Sequence, residues 1–122
     1  MYQLGIQSEF CAAHRLGSLS GGCDRLHGHN YEVELRVQGA ELNAGGCVVD
    51  FIQVEKQLKE ILMVWDHQFL NDLPDFQEVP PTAEWIARLI FEKMEKICEA
   101  ENFKVHSVLV RENRTYWAKY ER

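Results

Sequence analysis

Two long stretches of alternating side chains constrain the fold of this 122-residue chain more than any other feature. In residues 2–15 and again in residues 27–38, most apolar side chains and all histidines occupy one parity, and charged or amide side chains prevail on the other. A period of two over more than ten residues predicts a strand with one buried face. The glycine-rich segment 17–22 lies between the two stretches, so we expect the strands to pair antiparallel.

Two amphipathic helices are predicted in the middle of the chain. Apolar side chains in residues 51–65 recur at i, i+3 and i+4, and Asp50 with Gln53 resembles a capping box at the start of this helix. Thr82 is predicted to cap the second helix. The apolar stripe of that helix is predicted at Trp85, Ile86, Leu89, Ile90, Met94 and Ile97.

The last part of the chain returns to strands. Val108 and Val110 lie on one parity, and residues 112–115 are predicted to form a hairpin turn before a final strand. The resulting order, β-β-α-α-β-β, predicts a single α+β domain over residues 1–122, with one antiparallel sheet and both helices on one face. Such a sheet has unpaired edge strands, so we expect copies of the chain to associate through those edges.

Charge and composition exclude several classes of protein. The formal charge of −6, from 13 basic and 19 acidic residues, disfavours a nucleic-acid partner. No apolar run reaches the ~20 residues that a bilayer crossing needs, and the first ten residues do not resemble a signal peptide. We therefore expect no membrane partner and a cytoplasmic protein whose four cysteines are reduced thiols. An anionic small-molecule substrate is compatible with this charge, because a few local cations can bind it.

Three histidines are predicted to converge at one end of the strand pair. His27 and His29 are two residues apart on a strand and therefore share a face. His14 ends the neighbouring strand on its apolar parity, and antiparallel pairing brings it to the same place. Three imidazoles with one position left over are typical of a catalytic zinc site, although imidazole also suits copper, nickel and iron. The ordinary alternative is a chance His-x-His pair that hydrogen-bonds to the backbone.

Four further side chains are candidates for chemistry, and each has an ordinary alternative. Cys23 precedes the histidines in a loop where Arg25 and a metal would favour its thiolate, but most free cysteines are buried apolar residues. Asp66 and His67 can act as a carboxylate–imidazole pair, or they can form a polar helix end. Glu112 can accept paired hydrogen bonds from a ring edge such as that of a pterin, or it can be a solvated hairpin charge.

The chain resembles the 6-pyruvoyltetrahydropterin synthase / 6-carboxytetrahydropterin synthase family over nearly its whole length. The resemblance rests on an ordered set of motifs: FCAAHRL, CDRLHGHNY, VVDF, DHQFLND, PTAEW and VRE. It implies the tunnelling fold, in which trimers close their sheets into a barrel and commonly stack as hexamers. That fold agrees with the predicted element order and with association through sheet edges.

The resemblance also implies roles for the candidate residues. The implied zinc ligands are His14, His27 and His29. Cys23 corresponds to the catalytic thiol, and Asp66 with His67 corresponds to a catalytic pair supplied across a subunit interface. Glu112 corresponds to the residue that anchors the pterin ring, with Thr82 beside that ring.

Within the family, the chain resembles the carboxy-forming branch of queuosine and deazapurine biosynthesis. Three residues, DRL, separate Cys23 from the His-Gly-His motif, whereas the pyruvoyl-forming enzymes of animals have five. The implied enzyme is a zinc-dependent lyase that converts 7,8-dihydroneopterin triphosphate to 6-carboxy-5,6,7,8-tetrahydropterin, acetaldehyde and triphosphate. Two alternatives stay open: a 6-pyruvoyltetrahydropterin synthase, which eliminates triphosphate without cleaving the side chain, and a zinc- or pterin-binding module without catalysis.

Overall fold

One five-stranded sheet organises the computed structural model, which describes residues 1–17 and 25–122. The strands are β1 (Tyr2–His14), β2 (His27–Gly39), β3 (Gln68–Phe69), β4 (Lys104–Arg111) and β5 (Trp117–Glu121). Their order in the sheet is β3-β1-β2-β4-β5. The four longer strands pair antiparallel, as predicted, while the two-residue β3, which was not predicted, runs parallel to β1. The predicted α+β class is confirmed.

The alternating pattern buries one face of the β1–β2 pair. The inward side chains of β2 between Tyr31 and Val37 are at most 1% exposed. Phe10 on β1 lies opposite Tyr31, and the two rings stack with their centroids 4.8 Å apart. A register shift of one residue would turn these apolar side chains toward solvent, so burial of this face specifies the register.

Two helices supply the other half of the core. They are α1 (Phe51–Met63) and α2 (Ala83–Ile97), and two 3-10 turns, Leu70–Asp72 and Pro74–Phe76, lie between them. Both helices begin at their predicted N-cap residues, although Asp50 pairs with Ile52 rather than with Gln53 of the predicted capping box. Asp50 accepts a hydrogen bond from the N–H of Ile52, and Thr82 accepts one from the N–H of Trp85. Among the described residues, no helix combines the length and the apolar character that a bilayer crossing needs.

The buried stripes of the helices differ in part from the predicted ones. The buried residues of α2 are Ala83, Ile86, Ala87, Ile90, Phe91 and Met94. Of the predicted stripe, Trp85 and Leu89 are only partly buried and Ile97 is 39% exposed. Phe91, which was not in that stripe, is buried against β5, where its ring centroid lies 5.1 Å from that of Tyr120. Phe51, predicted to face the core, is instead 56% exposed and borders a surface depression beside Gly5.

We predict that Leu58→Ala lowers the free energy of unfolding by about 2–5 kcal/mol, because it leaves a cavity in the core. Leu58 is 0% exposed on α1, while Ile52 on the same helix is 74% exposed. Ile52→Ala is the matched control and should change the free energy by less than about 0.5 kcal/mol. Urea denaturation measures both values, and equal losses in the two variants would contradict this assignment of the core.

Candidate functional site

The β1–β2 register brings the three predicted histidines together. His14 lies directly opposite His27, and Ala12 lies opposite His29, so all three imidazoles project from one end of the strand pair. One nitrogen of each ring lies within 4.8 Å of the corresponding nitrogen of the other two. His14 is fully buried, and the other two rings are partly buried. The predicted convergence is therefore present in the structure.

Backbone carbonyls fix the tautomers of two of these rings. Nδ1 of His14 lies 2.7 Å from the carbonyl oxygen of Pro81, and Nδ1 of His27 lies 2.7 Å from that of Arg25. A carbonyl oxygen only accepts, so each Nδ1 carries the proton and each Nε2 keeps a lone pair. The two Nε2 atoms face each other at 2.7 Å. Two lone pairs at that distance repel unless a cation lies between them.

The third ring carries an unsatisfied nitrogen. Nε2 of His29 is buried and has no hydrogen-bond partner. Oε2 of Glu112 lies 3.6 Å from this nitrogen, too far for a hydrogen bond. With Zn–N bonds of about 2.0–2.1 Å, tetrahedral ligand nitrogens lie about 3.3–3.4 Å apart, a spacing that small ring movements reach here. The donor set therefore fits a metal ion that accepts imidazole.

Burial favours the neutral, metal-binding form of His14 and His29. Desolvation is the largest effect on the pKa of His14 and lowers it. The neighbouring His27 lowers this pKa further, whereas the hydrogen bond to Pro81 and the charge of Glu112 raise it. Desolvation likewise lowers the pKa of His29, again against the influence of Glu112.

Tyr31 supports the buried ring from the core side. Its hydroxyl lies 3.1 Å from Nδ1 of His14, and the residue is 0% exposed. Burial raises the pKa of Tyr31, so the phenol stays neutral beside the triad. Neither this contact nor the Pro81 carbonyl was anticipated. Tyr31 shares the inward parity of the two histidines that precede it, which is a signal in the sequence, whereas a backbone carbonyl leaves none.

Asp66 and His67 form a second cluster just after α1. Nδ1–H of His67 donates to Oδ2 of Asp66 at 2.9 Å, which leaves Nε2 outside on a side chain that is 78% exposed. Two hydrogen bonds connect the Asp66–His67 segment to Cys11 on β1. The N–H of Cys11 donates to Oδ1 of Asp66 at 2.9 Å, and the N–H of His67 donates to the Cys11 carbonyl. The hydrogen bond from Cys11 is the main cause that lowers the pKa of Asp66, and the one from His67 adds to it.

The backbone of His67 explains how adjacent residues can meet. Its φ of 59° is the only positive value at a non-glycine residue among residues 1–17 and 25–122. This left-handed conformation costs free energy and recurs at functional sites. Adjacent side chains on a helix point in different directions, but this pair lies beyond Met63, the last residue of α1, and is free of that restriction.

The remaining predicted site residues fall in three places. Glu112 follows β4 directly, and its N–H donates to the carbonyl of Tyr116, so the loop covers residues 112–116 rather than the predicted 112–115. Thr82 caps α2 with its hydroxyl, one residue after the carbonyl that holds His14. Cys23, the predicted catalytic thiol, lies outside the described residues.

Comparison with known proteins identifies the family. The sequence profile of the family described as 6-pyruvoyl tetrahydropterin synthase matches residues 3–122. The chain belongs to this family. It is therefore a member of an enzyme family of pterin synthases, as the motifs imply.

Three relatives illustrate the range of the 6-pyruvoyl tetrahydropterin synthase family. The chain is 37% identical to a 6-carboxy-5,6,7,8-tetrahydropterin synthase of Synechocystis, covering 98% of this chain and 93% of the relative. It is 31% identical to a putative 6-carboxy-5,6,7,8-tetrahydropterin synthase of Archaeoglobus fulgidus, covering 98% and 95%. It is 35% identical to a 6-pyruvoyl tetrahydrobiopterin synthase of Poecilia reticulata, covering 81% and 76%.

Solved structures of the family confirm the fold. The structure of 6-pyruvoyl tetrahydropterin synthase from Caenorhabditis elegans aligns with a TM-score of 0.87 at 24% identity, covering 99% of this chain and 95% of that one. The enzyme from Plasmodium vivax aligns with a TM-score of 0.77 at 21% identity, covering 99% and 97%. The predicted tunnelling fold is thus shown by family and by structure.

We predict that His27→Ala abolishes stoichiometric zinc binding, because it removes one of the three proposed ligands. Nε2 of His14 then no longer faces a second imidazole nitrogen. The matched control is His106→Ala, since His106 lies on β4 and is not one of the converging histidines. Zinc per protomer is measured by atomic emission after gel filtration. Unchanged zinc content in His27→Ala, or equal loss in both variants, would contradict the ligand assignment.

We predict that the metal-free protein loses stability as the pH falls below 6.5. Above that value, His14 and His29 are neutral in the folded and the unfolded chain alike. Below it, the unfolded chain binds protons that the folded chain excludes, because the pKa of both residues is lowered by folding. For each proton that only the unfolded chain binds, the free energy of unfolding falls by up to about 1.4 kcal/mol per pH unit.

Urea denaturation of chelator-treated protein at pH 7.5, 6.5 and 5.5 measures this dependence. The double variant His14→Gln/His29→Gln should have a flatter profile than the unsubstituted protein over the same range. A rise in unfolding free energy between pH 7.5 and pH 5.5 would show that a proton, rather than a metal ion, satisfies the facing nitrogens of His14 and His27.

Proposed function

We propose that this chain is a zinc-dependent 6-carboxy-5,6,7,8-tetrahydropterin synthase acting on 7,8-dihydroneopterin triphosphate in queuosine or deazapurine biosynthesis. The observation that carries the metal dependence is the 2.7 Å approach of two Nε2 atoms whose tautomers are fixed by carbonyls. Three neutral imidazoles and no thiolate suit zinc, with a position left for substrate. The family membership supplies the pterin chemistry.

The triad would hold zinc next to the hydroxyls of the substrate side chain. Zinc supplies Lewis acidity, which makes those hydroxyls and the adjoining carbon more acidic. His14 is held by Pro81 and Tyr31, so the site is organised before substrate arrives. We assign to the Cys23 thiolate the removal of a proton from the side-chain carbon, as the family resemblance implies.

The Asp66–His67 pair has the geometry of a proton donor and acceptor. Asp66 holds the proton on Nδ1 of His67, so Nε2 faces outward and can give or take a proton. The lowered pKa of Asp66 keeps its carboxylate charged, which stabilises the imidazolium that forms. In the proposed reaction this pair returns protons while triphosphate leaves and a retro-aldol cleavage releases acetaldehyde.

Ring binding is assigned to Glu112 and Thr82. The Glu112 carboxylate can accept two hydrogen bonds from an amidine-like ring edge, which would fix the side chain of the substrate toward the triad. Thr82 is close to the triad because it follows Pro81, whose carbonyl oxygen contacts His14. The hydroxyl oxygen of Thr82 accepts the cap hydrogen bond, so its proton can be donated to the pterin ring.

The assembly is proposed to be a trimer or hexamer closed through sheet edges. A His67 side chain that is 78% exposed in one chain supports this, because proton transfer works best where bulk water is excluded. A neighbouring copy would cover the pair and place it at that copy's metal site.

The carboxy-forming reaction is favoured over the pyruvoyl-forming one by two observations. The relatives named 6-carboxy-5,6,7,8-tetrahydropterin synthase in Synechocystis and Archaeoglobus match over more than nine-tenths of both chains, while the pyruvoyl-named relative of Poecilia is covered over 76% of its length. The three-residue spacing between Cys23 and the His-Gly-His motif also resembles the carboxy-forming branch.

We predict that zinc-loaded protein converts 7,8-dihydroneopterin triphosphate to 6-carboxytetrahydropterin with release of one acetaldehyde per turnover. Mass spectrometry identifies the pterin, and a coupled alcohol dehydrogenase assay measures the acetaldehyde. Release of triphosphate with a pyruvoyl product and no acetaldehyde would assign the chain to the pyruvoyl-forming branch instead.

The control for this assay is Cys23→Ala. We expect this variant to keep stoichiometric zinc and to lose turnover by about 100-fold or more, as the loss of a general base should. Full turnover in Cys23→Ala would contradict the role of the thiol, and no turnover in the unsubstituted zinc protein would favour a binding module.

A further inference from the structure

The carboxylate of Glu112 lies directly beside the histidine triad. It is the first residue after β4, and β4 pairs with β2 next to the strand end that carries the histidines. Its Oε2 atom is 3.6 Å from Nε2 of His29, the ring atom that has no hydrogen-bond partner, and its side chain is 20% exposed. The ring-binding role assigned to Glu112 does not explain why its carboxylate approaches a metal-ligating nitrogen.

The distance between these two atoms suits two ligands of one cation. It is longer than the 2.7–3.2 Å of a nitrogen–oxygen hydrogen bond, so no hydrogen bond explains it. With bonds of about 2.0–2.2 Å from zinc to nitrogen and oxygen, two tetrahedral ligand atoms lie about 3.3–3.5 Å apart. The observed 3.6 Å is close to that spacing.

The charge of Glu112 also reaches beyond His29, to His14 and Tyr31. It acts on His14 and on Tyr31 as well as on His29, in each case favouring the more positive form. Three neutral imidazoles leave the two positive charges of a divalent metal uncompensated in a largely buried site. One carboxylate would halve that charge, which lowers the cost of burying the ion.

We propose that Glu112 is the fourth ligand of the metal in the substrate-free protein, and that the substrate side chain displaces it. This inference rests on the metal site of the proposed function. The displaced carboxylate becomes available to the pterin ring, so ring binding and access to the metal are coupled in one residue. The metal then exposes its fourth position only when substrate arrives.

The test uses Co²⁺, whose visible absorption bands report the ligands around it, in place of zinc. Glu112→Gln keeps the size of the side chain and removes its charge. We expect the bands of substrate-free cobalt protein to shift in this variant, and Co²⁺ affinity to fall by about 10–100-fold. The matched control is Glu32→Gln, because Glu32 borders the same surface depression as Glu112 and should leave both readouts unchanged.

Imidazole then separates ligation from mere attraction between charges, because neutral imidazole is not repelled by a carboxylate. Titrated into the cobalt protein, it should bind Glu112→Gln about tenfold or more tightly than the unsubstituted protein, where it must displace a ligand. Equal imidazole affinities together with identical absorption bands would overturn the inference. Failure of the unsubstituted protein to bind Co²⁺ at all would instead overturn the proposed metal site.

Discussion

The pairing of β1 with β2 decides whether the three histidines of the candidate metal site come together. His14 meets its partner ring only because it lies opposite His27, and a slip of one residue would turn one strand's histidines to the other face. The register is not held by the histidines themselves. It is held by the apolar side chains along the same faces, such as the stacked rings of Phe10 and Tyr31. One alternating pattern therefore encodes both the core and the convergence of the three histidines.

The helical layer completes the site through a single carbonyl. Pro81 accepts the Nδ1 proton of His14, and the following residue, Thr82, caps α2 and donates its own N–H to Pro80. Prolines at 80 and 81 restrict φ and supply no N–H, so the orientation of this segment is largely preset. The start of a helix thereby selects the tautomer of a buried histidine, which is the property that a metal ligand needs.

The sequence predicts those parts of the site that follow from periodicity. Parity alone places His27 and His29 on the buried face, and pairing with the preceding strand adds His14. Periodicity carries no information on β3, which has two residues, or on the left-handed backbone of His67, which depends on hydrogen bonds to β1.

Periodicity also does not predict contacts that depend on how separate elements pack against each other. The burial of Phe91 in place of Trp85 depends on where β5 lies relative to α2, and the approach of Glu112 to His29 depends on the pairing of β4 with β2. Glu112 was anticipated from motif resemblance as a ring anchor. Its distance to Nε2 of His29 has no counterpart in the spacing of residues along the chain.

The two clusters of the site differ in how they meet solvent, and this difference bears on the proposed assembly. The triad is turned inward and is supported by groups of its own chain, with His14 fully buried. The Asp66–His67 pair is also fixed, by hydrogen bonds to Cys11 and between its own two side chains, yet the His67 side chain is 78% exposed. Holding an exposed imidazole in one orientation costs free energy, as does the positive φ of His67. Within one chain nothing offsets that cost, because an imidazole in open water can exchange protons in any orientation. It is recovered if the pair is presented to the metal site of a neighbouring copy, where the same orientation sets the path of the proton.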